Sequence, residues 1–329
     1  MNSWSGRLAG HYWTVLPFVQ DSLLDSTRKR VSASSSPWSL TVADPVLGSV
    51  RLSGRLFLPP GARRLLLAIH GLGGNAESTY LRQSLQAAHA AGVACLCLNL
   101  RGADGQGEDF YHAALTSDLH AALACAELAP FEELHVLGFS LGGHLALRLA
   151  CEPHDARLRS VAAICAPLDL EHTQRELDSA RRAFYRHYML SRLKACYLSV
   201  AQRHAVPTPP ARVLRIRRLR EWDELTVVPR FGFGSAAQYY RQASASTHLH
   251  QLSVRTLLVQ AEHDPMVLAQ TVRPTLLTTP SLLDVRWIRR AGHVGFPPDL
   301  NLDEPAPAGL ASQVLSWLTA ARPPGGAGR

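Results

Sequence analysis

The stretch LHVLGFSLGGHLALRLAC, residues 134–151, decides the architecture. Its first five residues form an apolar run of strand length ending on Gly138. The segment Leu141 to Cys151 is rich in leucine and alanine and reads as a helix. Between them lies Gly138-Phe139-Ser140-Leu141-Gly142, a G-x-S-x-G pentapeptide. A serine on so sharp a strand-to-helix turn has strained backbone angles, and its neighbours must be small for strand and helix to approach. The bare pentapeptide also occurs in glycine-rich turns. An apolar strand before it and a helix after it are what lift the hydroxyl above the edge of a sheet.

The same rhythm extends in both directions. Upstream, Leu65–Ile69 and Val93–Leu100 are continuous apolar runs, the pattern of strands buried on both faces. Helical spacing marks 76–91, through Leu81, Leu85 and Ala88, and 113–128, through Leu115, Leu119, Ala122 and Leu123. Downstream, Ser160–Ala166, Thr256–Gln260 and Val285–Arg289 read as further strands, and 308–321 as a closing helix. Strands alternating with helices imply an α/β fold with a mostly parallel central sheet flanked by helices. Rough apolar alternation from Leu40 to Leu58 adds an antiparallel pair at the front. The rhythm stops at Asp169, and 171–228 is arginine-rich with a helical pattern. The expected organisation is therefore a lead segment over 1–45, a core over 46–170 and 229–322, a helical cap or lid inserted over 171–228, and a disordered tail over 323–329. Residues 20–37, rich in Ser, Asp and Arg, read as a surface loop.

A serine hydroxyl is a weak nucleophile and needs a base beside it. On elbows of this kind the partners follow in the order serine, acid, histidine. Of fifteen histidines, His293 is best placed, because Gly292-His293-Val294-Gly295 turns directly after the last strand. His248, His250 and His263 lack one or both of these features. For the acid, Asp264 follows the strand that precedes the histidine's own, and Asp169 is the rival. Either aspartate could instead cap a loop. An oxyanion needs two donors. The Leu141 N–H is one, and the Leu72 N–H in His70-Gly71-Leu72-Gly73-Gly74 the other, with Gly71 a near alternative. Phe184, Tyr185, Tyr188, Met189 and Tyr197 either line an acyl pocket or form the core of the cap.

Other chemistries are excluded or weak. The net charge is +8, but all the basic residues except Lys29 and Lys194 are arginine, and they are not interleaved with aromatics. No nucleic-acid motif is present, so no nucleic-acid partner is expected. Residues 102–107 and 71–74 do not make a dinucleotide-binding loop, so no cofactor is implied. The six cysteines sit mostly within apolar runs without zinc spacing, which suits a reducing compartment, and no metal is implied. His248-Leu249-His250 lacks a third ligand. The apolar stretch Tyr12–Val19 is broken by Pro17, and cytoplasmic is the default location. In 212–225, Val213, Ile216, Leu219 and Trp222 share one face opposite five arginines. A solvated face of a lid helix explains this, and peripheral contact with an anionic membrane stays open.

The segments GHYWT (10–14), HGLGGN (70–75), NLRGADG (99–105), TSDLHAAL (116–123), GFSLGGH (138–144), APLDL (166–170), LREWDELTVVPRFGF (219–233), YYRQAS (239–244), AEHDPMV (261–267) and AGHVGF (291–296) carry a family resemblance. The chain resembles the α/β-hydrolase subfamily of bacterial YheT-type hydrolases, plant EMB8-like proteins and animal proteins related to the lung alpha/beta hydrolases. The resemblance implies the α/β-hydrolase fold and a triad of Ser140, Asp264 and His293. It implies an esterase, lipase or phospholipase acting on a small-molecule or lipid ester, with acyl transfer to an alcohol as a variant. Within that frame the expectation is cleavage of short- to medium-chain carboxylic esters. A thioesterase or a non-catalytic binding protein of the same fold are the rivals. The chain departs from the subfamily at His144, where Asn is common, and at Trp13, where Gln usually precedes Thr.

Overall fold

Alternation along β3 (Arg64–Ile69) shows how the sheet is packed. Leu65, Leu67 and Ile69 join one apolar layer, Leu66 and Ala68 the other, and all five are fully buried. Successive strand residues face opposite sides, so a strand covered on both faces must be apolar at every position. The structure is a computed structural model describing residues 3–23 and 35–321, with side chains placed for 6–16 and 35–321. The expected tail over 323–329, and most of the expected loop over 20–37, lie outside the described residues.

The remaining strands are β1 (Ser36–Asp44), β2 (Gly48–Phe57), β4 (Ala94–Asn99), β5 (Glu133–Phe139), β6 (Leu158–Ile164), β7 (Arg255–Ala261) and β8 (Leu283–Ile288). They form one eight-stranded sheet in the order β1-β2-β4-β3-β5-β6-β7-β8. The β1–β2 and β2–β4 pairs are antiparallel, and every other pair is parallel. Helices α2 (Thr79–Ala90) and α11 (Leu310–Thr319) cover one face through Leu81, Leu85, Val314 and Trp317. Helices α3 (Ser117–Ala124) and α4 (Leu141–Ala150) cover the other through Leu119, Leu123, Leu145 and Leu149. Each such leucine contributes roughly 1.5–3 kcal/mol by leaving water. This is the helix-flanked, mostly parallel sheet that the strand–helix rhythm implied, in the α/β-hydrolase arrangement that the resemblance implied.

Between β6 and β7 the chain is helical: α5 (Leu170–Leu177), α6 (Ala183–Ala201), α7 (Pro210–Val213), α8 (Leu219–Leu225), α9 (Val227–Phe231) and α10 (Ala236–Ala243). These extra helices form a cap. Short 3-10 turns carry the helical run on to Gln251, and the sheet resumes at Arg255. The amphipathic stretch 212–225 is not one helix. Arg218 is extended (φ −129°, ψ 146°), separating α7 from α8, yet Val213, Ile216, Leu219 and Trp222 are all buried as their spacing implies. The helix expected over 113–128 also breaks, at the extended Cys125, before a 3-10 turn.

Two features were not read from the pattern. The lead segment forms a helix, α1 (Ser3–Leu23). Arg101, in the loop after β4, is the hub of a buried ionic cluster. Its guanidinium donates to both oxygens of Asp118 at 2.7 and 2.8 Å, to Asp44 at 2.6 Å and to Asp109 at 3.2 Å. Arg230 of α9 donates to Asp109 at 2.7 and 3.1 Å and to Asp44 at 3.1 Å. The cluster ties the end of β1, the loop after β4, α3 and the cap together. Burial alone would raise the Asp44 carboxyl, but Arg101, the backbone N–H groups of Leu47 and Val46, and Arg230 outweigh it and hold it well below the usual range. Among the described residues no helix is long and apolar enough to cross a membrane.

Candidate active site

Ser140 stands between β5 and α4 with φ 53° and ψ −115°. Such angles are costly for a residue with a side chain and persist only where the surroundings enforce them. The enforcement is visible at Gly142, where a Cβ would lie 2.5 Å from the carbonyl oxygens of both Ile69 and His70. Any side chain there would push α4 off β3. The turn leaves Ser140 Oγ free to reach 2.9 Å from Nε2 of His293.

His293 follows β8 in a turn closed by the Gly292 N–H to the Gly295 carbonyl, 2.9 Å. Its Nδ1 lies 2.8 Å from Asp264 Oδ2. A carboxylate only accepts, so Nδ1 carries the proton and Nε2 is left to accept from the serine hydroxyl. Asp264 is 2% exposed, and its other oxygen accepts the N–H groups of Met266 and Val267 at 2.8 and 2.9 Å. Both oxygens are thereby fixed. The rival Asp169 instead caps α5, accepting from the His172 N–H at 2.9 Å.

In the loop after β3 the N–H groups of Gly71 and Leu72 stand differently. The Gly71 N–H is donated to the Tyr80 hydroxyl (3.0 Å), that of Gly73 to the Tyr111 hydroxyl (2.8 Å), that of Gly74 to the Gly71 carbonyl (3.0 Å) and that of Asn75 to Ser78 Oγ (3.0 Å). Among the described residues nothing accepts the Leu72 N–H, and Leu72 lines the same cavity as Ser140 and Leu141. Leu141 opens α4, where the first N–H groups have no intrahelical acceptor and the helix end carries partial positive charge.

That cavity is about 120 Å³ and extends from Ser140 and His293 into the cap. A cavity of roughly 150 Å³ takes up benzene, so the space suits a short apolar chain. Leu170, Leu177, Met189, Leu193, Leu219 and Trp222 are among its apolar walls. The aromatic group read from the cap is divided by the structure. Met189 lines the cavity. Phe184 is 71% exposed. Tyr185 is buried against α1, with its hydroxyl 2.5 Å from His11 Nδ1. Tyr188 packs at the edge of the core, and Tyr197 is buried with its hydroxyl on the Thr208 carbonyl at 2.8 Å. None of these four is among the lining residues.

Thr14 of α1 was missed. Its hydroxyl accepts the His293 N–H at 2.8 Å and donates to the Gly10 carbonyl at 2.7 Å. Helix α1 can sit this close because Gly10 has no side chain; a Cβ there would lie 2.0 Å from the His263 carbonyl oxygen. The GHYWT segment therefore braces the loops that deliver His293 and Asp264, and the sequence signal was there without a physical reading.

Cys165, Asp264 and His293 bring potential ligand atoms within 4.8 Å of one another. Both ring nitrogens of His293 are already engaged, and burial followed by the Asp264 charge pushes the Cys165 thiol well up, which keeps it protonated. These residues are poor material for a metal site. His144 is fully buried, with its ring nitrogens on the carbonyls of Pro167 (2.8 Å) and Ala243 (2.9 Å), so it locks α4 to the cap rather than serving the reaction centre.

Comparison with known proteins bears on the fold and the family. The Putative esterase YheT of Escherichia coli (strain K12) is 30% identical over 264 residues, covering 77% of this chain and 76% of that protein. Monoacylglycerol lipase ABHD2 of Homo sapiens is 26% identical over 259 residues, covering 69% of this chain, which spans only 58% of ABHD2's length. Among solved structures, the Pyrococcus furiosus esterase Pf2001 superposes with a TM-score of 0.53 at 17% identity, over 82% of this chain and 87% of that one, a likeness of fold. The family described as Alpha/beta hydrolase family matches residues 65–311, and the chain belongs to it.

Proposed function

We propose that the chain is a serine hydrolase that cleaves carboxylic esters through an acyl-enzyme, close in kind to the YheT-type and EMB8-like hydrolases. The observation that carries this reading is the continuous line from Ser140 Oγ to His293 Nε2 and from His293 Nδ1 to Asp264, at 2.9 and 2.8 Å. His293 takes the serine proton as Oγ attacks the ester carbonyl, and Asp264 holds the imidazole in the required tautomer. The N–H groups of Leu72 and Leu141 stabilise the oxyanion. The alcohol leaves with the proton from His293, and water activated by the same ring releases the acid. Residues 171–228 act as the cap over this centre, and the small cavity favours short to medium acyl chains. The reading requires no cofactor.

A panel of p-nitrophenyl and glycerol esters of graded chain length tests it. Wild type should turn over the shorter esters, and Ser140→Ala should lose on the order of 10⁵–10⁶ in kcat while remaining folded. Near-wild-type turnover by the purified variant would remove Ser140 from the reaction.

A further inference from the structure

The cavity is not apolar throughout. Thr173 and Gln174 of α5 and Asp223 of α8 line its cap side. Thr173 is 5% exposed and Gln174 8%, yet Thr173 Oγ1 and Gln174 Oε1 have no hydrogen-bond partner among the described residues. A helical threonine would ordinarily return its hydroxyl to the carbonyl four residues back, and Thr173 does not. The Gln174 amide cannot simply be turned over. Its Nε2 donates to Asp178 Oδ2 at 2.5 Å, and Asp178 in turn accepts the N–H groups of Leu219 and Arg220, so a carboxylate dictates which end of the amide faces it. One Asp223 oxygen accepts the Tyr240 hydroxyl at 2.5 Å, and the other has no partner among the described residues.

Leaving a buried polar atom unpaired costs as much as a hydrogen bond is worth, so two such atoms on successive residues that line one cavity point to a group that pairs with them. We propose that the cap side of the cavity recognises a hydroxyl carried on the acyl chain of the ester, which would donate to Gln174 Oε1 or Asp223 and accept from Thr173 Oγ1. The inference rests on the ester-hydrolase reading for the word acyl. The acyl group is what stays on Ser140 until water arrives, so the cavity beside Ser140 must hold it after the alcohol has gone. The free amide oxygen of Gln174 and the Asp223 carboxyl disfavour an anionic group. Burial, reinforced by the charges of Asp178 and Glu224 and opposed by the Tyr240 hydrogen bond and Arg220, pushes the Asp223 carboxyl up to about 7, which suits a neutral hydroxyl better than an ammonium.

The test uses binding as well as turnover. Calorimetry on Ser140→Ala would compare esters of plain, ω-hydroxy and ω-amino alkanoic acids of graded length, together with plain acyl esters of diols. Kinetics on wild type would use the same series. At one length the hydroxyacyl ester should bind about tenfold or more tightly than its plain counterpart, and Thr173→Val and Gln174→Met should each remove most of that preference, read as the ratio of hydroxyacyl to plain affinity within each variant. Equal binding of plain and hydroxyacyl esters at every length would mean that water alone fills the site and would overturn the proposal. So would a stronger preference for the amino series or for a hydroxyl on the alcohol side. A hydroxyl preference in binding without turnover of any ester by wild type would count against ester hydrolysis and support the hydroxyl site.

Discussion

The Arg101 cluster and the line from Ser140 to Asp264 are both buried, and both are gathered from segments far apart in the chain. They differ in what borders them. In the Arg101 cluster two guanidiniums and three carboxylates satisfy one another on every side, with side chains no more than 9% exposed. In the other, Asp264 and His293 are as tightly held, but the line ends at a hydroxyl on a cavity wall. Polarity that is fully answered inside the protein joins parts together. Polarity answered at all points but one is left to act on whatever enters.

After the loss of the serine itself, the largest expected effect sharpens that contrast within the acid–base line. Asp264→Asn should lower kcat about 10³–10⁴-fold, because the amide presents the wrong partner to Nδ1 and the ring loses its tautomer. Asp169→Asn keeps an acceptor for the His172 N–H and should change kcat little. Steady-state kinetics on the two variants measure this, and the reverse ranking would move the acid to the strand before the cap.

The next effect falls on stability instead. Arg101→Leu leaves Asp118 without its ion-pair partner and Asp44 and Asp109 with Arg230 alone, and removing one member of a buried ionic cluster costs about 3–5 kcal/mol. Denaturant unfolding should show that loss, while the molecules that remain folded should label with a fluorophosphonate at the wild-type rate. A stable variant with a dead serine would show that the cluster shapes the reaction centre directly.

A smaller effect is expected at Thr14. Thr14→Val removes the acceptor for the His293 N–H and should lower kcat roughly tenfold, about 1.4 kcal/mol, with KM nearly unchanged. Thr14→Ser should restore most of it. Equal activity of the valine and serine variants would reduce α1 to a covering element.

What was legible in the sequence follows from the range of the interactions. The strands and the helices α2 and α4 are set by local periodicity, and the serine elbow by glycines within the same pentapeptide. Asp264 and His293 could be named because the sheet's strand order places the ends of successive parallel strands side by side. The contacts of Thr14 and of the Arg101 cluster could not be derived, for the opposite reason, although GHYWT and NLRGADG stood out in the sequence. Each depends on partners far along the chain, 279 residues away for Thr14 and His293, and no local pattern encodes which distant charge or hydroxyl will meet another. The unpaired atoms of Thr173 and Gln174 are likewise features of a finished cavity.

The smallest effect separates residues that the sequence had grouped. Phe184 and Met189 lie five positions apart, which is about 140° around a helix, so α6 cannot turn both toward one cavity. Tyr185 and Met189, four apart, do share a face, but Tyr185 lies a turn nearer the start of α6 and meets His11. Aromatic character suggested an acyl pocket; helical phase decides which residue reaches it. Phe184→Ala should therefore leave the chain-length profile within about twofold of wild type at every length, since an exposed ring contributes little to a buried chain. Met189→Ala removes a buried wall and makes room for two or three methylenes, each worth roughly 0.8 kcal/mol on burial, so the optimum should move to longer acyl chains. The comparison is made on p-nitrophenyl esters of graded length with both variants folded. A shift in Phe184→Ala without one in Met189→Ala would put the acyl chain on the outer face of α6, and the cavity beneath the cap would lose its claim to hold it.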